Sequence, residues 1–165
     1  MDVVKEREEI IELFGNFFER LFNIPPLAGR ILGTLIVDGC KTGLTFESLV
    51  EKMGASKSSI STNLNLLLKM EKITYFTKAG DRKKYFKAAN LSERLGNFLK
   101  LIDSEMAIVN RMVKYREATA SCSEERSNLE NIKAYRTHVI EVEKVFLKTI
   151  NELKQIEINN NNNNK

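Results

Sequence analysis

The sequence has few of the residues that bind metals, form disulfide frameworks or catalyse reactions. Its two cysteines, Cys40 and Cys122, lie outside any CxxC pattern, and His138 is the single histidine in 165 residues. Zinc sites and disulfide scaffolds need cysteine or histidine repeated at short spacing, and a Ser/His/Asp triad needs a histidine activated by a neighbour. No GxGxxG or GxxxxGK[ST] phosphate loop occurs. The sequence therefore predicts that the protein is not an enzyme and uses no metal or other cofactor.

Long apolar runs are also missing. The longest nearly uncharged stretch, residues 31–37, is too short to span a bilayer, and the first nine residues lack the apolar core of a signal peptide. Hydrophobic residues make up 42% of the chain and charged residues 29%, which is typical of a folded globular protein. We therefore expect a cytoplasmic protein without a membrane partner, built either as one compact domain or as one small domain with an appendage for self-association.

Positive charge is concentrated in the middle third of the chain. Residues 45–90 contain nine Lys or Arg against four Asp or Glu, whereas residues 1–44 contain five against seven and residues 91–158 eleven of each. Such a local excess attracts polyanions. The alternative interpretation is a solvated, lysine-rich surface without a partner.

Hydrophobic periodicity predicts a mainly helical fold with one small β-hairpin. Thr45 and Ser56 are placed to cap the two short helices in the middle, and Gly54 to end the first of them. Two short helices joined by a three-residue turn outline a helix-turn-helix, and a hairpin with its turn at residues 79–81 follows. The predicted helices cover residues 4–22, 26–37, 46–53, 57–71, 91–119 and 124–156, and the predicted strands residues 73–78 and 85–88.

The second helix of the pair has two contrasting faces. At 100° per residue, Ile60, Leu64, Leu67 and Met70 share one face, and small polar residues share the other. A merely solvated helix would favour Glu, Lys, Gln and Ala, whereas a helix that enters the major groove needs small hydrogen-bonding side chains and no carboxylates. The predicted contact residues on this helix are Lys57, Ser58, Ser59, Ser61, Thr62, Asn65 and Lys69.

The predicted hairpin carries four cations around its turn, namely Lys78, Arg82, Lys83 and Lys84. An arginine at a hairpin tip can reach a narrow minor groove, where the negative potential of DNA is strongest. Asp81 interrupts this charge pattern, and we expect it to orient Arg82 or to cap the turn. The alternative is that the lysines only deter aggregation at a sheet edge.

Four ordered segments, residues 25–33, 44–49, 55–64 and 80–86, resemble the winged-helix transcriptional regulators of the MarR superfamily. The closest similarity is to the branch named after the GbsR repressor of glycine-betaine synthesis. The resemblance covers residues 10–90 and implies a homodimer, a recognition helix over 57–69, a wing over 78–84, and response to a small-molecule effector. Glu71 and Lys72 depart from the family, which often has a glycine at the end of the recognition helix.

The domain organisation follows from these patterns. We expect residues 1–24 to join the dimerisation region, 25–90 to form the winged helix-turn-helix DNA-binding domain, 91–157 to form helical dimerisation elements, and the asparagine-rich residues 158–165 to be disordered.

The leading functional hypothesis is a homodimeric regulator that binds double-stranded DNA as a repressor or an activator, with repression the favoured interpretation, and for which a small-molecule effector stays an open expectation. Two alternatives stay open on the sequence. One is a winged-helix module that recruits a protein partner, and the other is a sensor whose aromatic residues form a cation-binding cage.

Overall fold

The computed structural model describes residues 2–163 and is mainly helical, with a small antiparallel sheet. This confirms the predicted fold class. The described chain divides into two compact units, one ending at Ala89 and the other starting at Asn90. The first unit contains α1 (Val3–Phe22), α2 (Pro26–Asp38), β1 (Leu44–Thr45), α3 (Phe46–Met53), α4 (Lys57–Lys69), β2 (Ile73–Thr77) and β3 (Lys84–Ala88). The second contains α5 (Leu91–Thr119) and α6 (Ser123–Asn163).

The short central helices begin at the predicted caps. Thr45 Oγ1 accepts the Ser48 N–H at 3.2 Å, and Ser56 Oγ accepts the Ser59 N–H at 3.2 Å. Each bond satisfies an N–H that has no partner within its helix. Gly54 ends α3 with a φ of +58°, a left-handed conformation that glycine adopts without steric cost.

The sheet has three strands, one more than the predicted hairpin, in the order β1-β3-β2. β1 has only two residues, which is too short to show the alternation that identifies a strand in sequence. It pairs with β3 through Leu44 opposite Phe86. Gly43, with a φ of +68°, lets the backbone reach this position, because a Cβ there would lie 2.9 Å from the Phe86 oxygen.

The core of the first unit surrounds α2. Its buried side chains come from every helix of the unit and from β2 and β3; among the most buried are Phe18, Ile31, Leu35, Leu49, Ile60 and Leu67. α1 lies close along α2, because glycines on α2 let the two backbones approach each other. A Cβ at Gly29 would lie 2.5 Å from the Gly15 oxygen, and one at Gly33 would lie 2.8 Å from the Ile11 oxygen. The predicted role of residues 1–24 in dimerisation stays a prediction.

Asp38 links three helices of the first unit. Arg7 of α1 donates two hydrogen bonds to its carboxylate, one of them from Nε to Oδ1 at 2.8 Å, and Lys52 Nζ of α3 lies 3.1 Å from Oδ2. The Arg7 hydrogen bond, reinforced by Lys52, holds the pKa of Asp38 below its ordinary value. The ion pairs therefore tie the first helix of the helix-turn-helix to both α1 and α2.

The second unit is a hairpin formed by α5 and α6. Its first helix is capped by Asn90, whose N–H donates to Glu93 Oε2 at 2.9 Å. The prediction that Ser92 caps this helix is wrong. Ser92 is buried, and its Oγ donates to Glu157 Oε2 at 2.6 Å while its N–H donates to Oε1 at 3.1 Å. Asn90 and Glu93 form the cap two residues earlier, so Ser92 lies inside the helix and its hydroxyl bonds a distant carboxylate instead.

The prediction of disorder in the asparagine-rich segment differs from the structure. α6 continues through Asn163, and residues 164–165 of the predicted tail lie outside the described residues. The asparagine run has no apolar side chains to bury, which predicts disorder. An existing helix can nevertheless extend into it, because each added residue needs only one further backbone hydrogen bond. Within residues 2–163, no helix is both long and apolar enough to cross a membrane.

Candidate nucleic-acid interface

α4 is held in place by one face and exposes the other. Ile60, Leu64 and Leu67 are buried in the core of the first unit, with exposed fractions of 2% or less. The opposite face, which has no carboxylate between positions 57 and 69, is exposed at Lys57, Ser58, Ser61, Thr62, Asn65 and Lys69. These six predicted contact residues therefore form one continuous polar surface along the helix.

Ser59 differs from the other predicted contact residues on α4. It is half-buried, and its Oγ lies 2.8 Å from Ser56 Oγ, which also accepts the Ser59 N–H. The exposed Ser58 Oγ lies 3.1 Å from the same atom. Three serine hydroxyls thus cluster at the amino terminus of the helix, where the backbone N–H groups and the helix dipole favour an anion.

The two central asparagines of α4 have different environments. Asn63 is buried, with an exposed fraction of 8%, and its Nδ2 donates to the Ser59 carbonyl at 2.8 Å. Asn65 is exposed. Only Asn65 is thus accessible on the polar face, where an amide can form paired hydrogen bonds with an adenine edge.

α4 ends two residues earlier than predicted, and its end shows how the chain manages without the expected glycine. Glu71 has a φ of +55°, its N–H donates to the Leu68 carbonyl, and the Lys72 N–H donates to the Leu67 carbonyl, both at 3.0 Å. This is the Schellman pattern, in which the residue after the cap is left-handed. Glu71 therefore adopts a left-handed conformation that glycine would adopt without steric cost.

The hairpin formed by β2 and β3 ends in a turn that projects two cations. The Asp81 N–H donates to the Lys78 carbonyl at 3.0 Å, and Gly80 has a φ of +79°. A positive φ at the third turn position is the requirement of a type II turn. Arg82 and Lys83 follow this turn and are both exposed.

The other two predicted wing cations, Lys78 and Lys84, lie on opposite faces of the hairpin. Lys78 Nζ lies 3.9 Å from the centre of the Tyr85 ring, and Lys84 Nζ lies 4.2 Å from the centre of the Tyr75 ring. Phe76 pairs with Tyr85, and Tyr75 precedes Phe76, so strand alternation places the two tyrosines on opposite faces. The four cations therefore form a tip with one lysine on each side of it.

Asp81 is the acidic residue of this turn, and it binds within the hairpin. Its Oδ1 accepts the Lys83 N–H at 2.9 Å, and its Oδ2 accepts the Tyr85 hydroxyl at 2.6 Å. These hydrogen bonds, that from Tyr85 first, lower the pKa of Asp81, and the same carboxylate raises the pKa of Tyr85. The expectation that Asp81 caps the turn agrees with this geometry. The role of Tyr85 was missed, because nothing in its sequence position identifies a partner across the turn.

The structure gives little support to metal, thiol or cation-cage chemistry. Among residues 2–163 no group of three or more His, Cys, Asp or Glu could hold a metal ion. Cys40, Cys122 and His138 are exposed. Phe14, Phe18 and Phe22 stack along one side of α1 and pack in the core, which is the arrangement of a packing cluster rather than an open cation cage.

Comparison with known proteins gives one curated relative and a similar solved structure. The HTH-type transcriptional regulator MmpR5 of Mycobacterium tuberculosis (strain ATCC 25618 / H37Rv) is 35% identical over 101 residues, or 58% of this chain and 60% of that protein. The match thus spans less than two thirds of the relative. A crystal structure of a transcriptional regulator aligns with a TM-score of 0.55 and 22% identity, covering 91% of this chain and 99% of the other. This likeness shows a shared fold. No family model matches the chain.

Proposed function

We propose that this protein is a transcriptional regulator of the MarR family that binds double-stranded DNA as a homodimer. The observation that carries the proposal is the exposed, carboxylate-free polar face of α4 beside a cationic hairpin tip. The name of the curated relative, an HTH-type transcriptional regulator, supports the same function. The protein acts by binding rather than by catalysis.

The polar face of α4 fits the major groove. Small side chains at Ser58, Ser61 and Thr62 allow close approach and hydrogen bonding, and Asn65 reads a base edge. Lys57 and Lys69, at the two ends of the helix, contact phosphates. None of these contacts requires the helix to move out of the core, because the apolar face alone holds it there.

The hairpin adds contacts outside the major groove. Arg82 and Lys83 at the tip reach the backbone or the minor groove of the flanking DNA, where the potential is most negative. Lys78 and Lys84, one on each side of the hairpin, contact neighbouring phosphates. Each phosphate contact releases a counterion and steepens the salt dependence of binding.

Dimerisation is supported by the second unit. In α6, apolar side chains at seven-residue spacing are half-buried at Ile132, Val139, Phe146 and Leu153, whereas Tyr135, Val142 and Ile156, which share a second row with the same spacing, are exposed. α5 exposes Leu101, Ile108 and Tyr115 at seven-residue spacing, with exposed fractions of 57% or more. A second copy that covers these apolar rows forms a helical interface of the kind that heptad patterns specify.

We also propose that the protein is a repressor, that it responds to a small-molecule effector, and that it belongs to the GbsR-like branch. Occupying an operator excludes other proteins from the DNA, so repression needs no surface beyond the one described. The effector and the branch rest on the sequence resemblance. Release of bound operator by a small molecule would test the former.

Selection of bound sequences from a random duplex pool tests the function directly. A two-fold symmetric dimer is expected to enrich an inverted repeat with half-sites about one helical turn apart. Affinity for that site should fall steeply between 50 mM and 200 mM salt, by about 10³-fold or more if six or more phosphates are contacted.

Arg82→Ala is the matched variant for this experiment. It should bind the selected site more weakly and with a flatter salt dependence, because one phosphate or groove contact is lost. A pool that yields no enriched sequence, with binding that is insensitive to salt, would indicate a protein-recruiting module instead.

A further inference from the structure

Tyr85 connects parts of the hairpin that lie on both sides of its turn. Its hydroxyl donates to Asp81 at 2.6 Å, its ring stacks with Phe76 at a centroid distance of 5.6 Å, and Lys78 Nζ lies 3.9 Å above the ring. Its backbone belongs to the central strand of the sheet, paired with both neighbouring strands. One side chain on a well-anchored strand therefore contacts the residues that begin and end the turn.

The contact with Asp81 extends to the tip of the hairpin. The same carboxylate accepts the Lys83 N–H at 2.9 Å, and the Asp81 N–H donates to the Lys78 carbonyl at 3.0 Å. Arg82 stands between Asp81 and Lys83, both of which are fixed by these bonds. Its backbone is consequently held at both ends, while its exposed side chain stays available for a ligand.

We infer that Tyr85 is a positioning residue of the wing, which orders the turn and Lys78 before DNA arrives. This inference rests on the proposed function. Ordering a flexible turn costs conformational entropy, and a turn that is ordered in advance does not pay that cost on binding. In this role Tyr85 acts through Asp81 and Lys78, because its hydroxyl is already hydrogen-bonded to Asp81. Its loss should therefore weaken binding without removing any charge from the interface.

The test compares two substitutions with a matched control on the same hairpin. Tyr85→Phe removes only the hydroxyl that holds Asp81, and Asp81→Ala removes the acceptor of both hydrogen bonds. Tyr75→Phe removes a hydroxyl from the other face of the hairpin and should behave like the parent. Affinity for the selected duplex and its salt dependence are measured for each, together with amide hydrogen exchange of Lys83 in the free protein.

Tyr85→Phe is expected to bind about tenfold more weakly, the effect of losing one hydrogen bond to a charged group. The slope of affinity against salt should stay that of the parent, in contrast to Arg82→Ala, and exchange of the Lys83 amide should accelerate. Asp81→Ala gives opposite expectations for charge and for positioning. Removing a negative charge from the cationic tip would by electrostatics alone strengthen DNA binding. Losing the two hydrogen bonds that Asp81 accepts from Tyr85 and Lys83 should instead weaken it.

The outcomes separate this inference from the proposed function. A parent protein that binds no duplex overturns the proposed function. If the parent binds duplex but Tyr85→Phe binds equally tightly, or Asp81→Ala binds more tightly, the positioning role alone is overturned. Lys83 exchange that is unchanged in Asp81→Ala also overturns it, and this measurement needs no DNA.

Discussion

Replacing Glu71 by glycine should stabilise the first unit. Glu71 has a φ of +55° just beyond α4, where its Cβ meets the steric penalty of the left-handed region. Relief of that penalty is worth about 1–2 kcal/mol. Glycine also increases the conformational entropy of the unfolded chain, which lowers the free energy of unfolding by about 0.5–1 kcal/mol. We therefore expect Glu71→Gly to raise the free energy of unfolding by about 0.5–1 kcal/mol.

Amide hydrogen exchange in α4 is a suitable assay, because it reports the stability of this part of the chain separately from α5 and α6. Glu71→Ala is the first control, since it removes the same side-chain interactions but keeps the Cβ, and it should give no gain. Gly54→Ala is the converse control. Gly54 has a φ of +58° and open space around a Cβ, so alanine should cost about 1 kcal/mol through backbone strain alone. An equal gain from Glu71→Ala and Glu71→Gly would refute the backbone explanation.

Four further substitutions, one of them with a matched control, test the interface, the packing and the assembly. Asn65→Ala should relax base preference at one operator position by about 1–3 kcal/mol in a competition assay with single base-pair variants. Asp38→Asn should lower the free energy of unfolding by about 1–3 kcal/mol at pH 7. The pKa of Asp38 is lowered in the folded state, so the parent should hold this stability above about pH 4 and lose it as the pH falls through that lowered pKa. Urea unfolding of the parent and of Asp38→Asn should therefore converge in acid. Gly29→Ala should cost about 1–3 kcal/mol in the same assay because its Cβ meets α1 backbone at 2.5 Å, whereas Gly96→Ala, with open space, should not destabilise. Ile108→Asp should shift sedimentation from dimer to monomer, and an unchanged dimer would place the interface elsewhere.

The regular elements of the fold were predictable because their signals are local. Helix α3 and the caps at Thr45 and Ser56 depend on residues within one turn of each other, and the structure confirms them. β1 was not predictable. Its two residues are a strand only because β3 lies beside them, about forty positions later in the chain.

The same distinction between local and long-range signals applies to the candidate interface. The exposure of Asn65 follows from helical spacing alone, and the structure places it as the spacing predicts. The hydrogen bond that Ser92 makes with Glu157 and the one that Tyr85 makes with Asp81 depend on distances in the folded chain. Residue type could suggest a cap at Ser92, but it could not indicate which carboxylate would lie beside it.

The near contact of α1 and α2 has a mechanical consequence. At Gly29 and Gly33 the α1 backbone lies too close for a Cβ, so the main chains of α1 and α2 pack with little side-chain material between them. Asp38 fastens the far end of α2 to both Arg7 and Lys52. We therefore expect α1, α2 and α3 to move together as one body, because close backbone packing and the Asp38 ion pairs leave little room for relative motion among them.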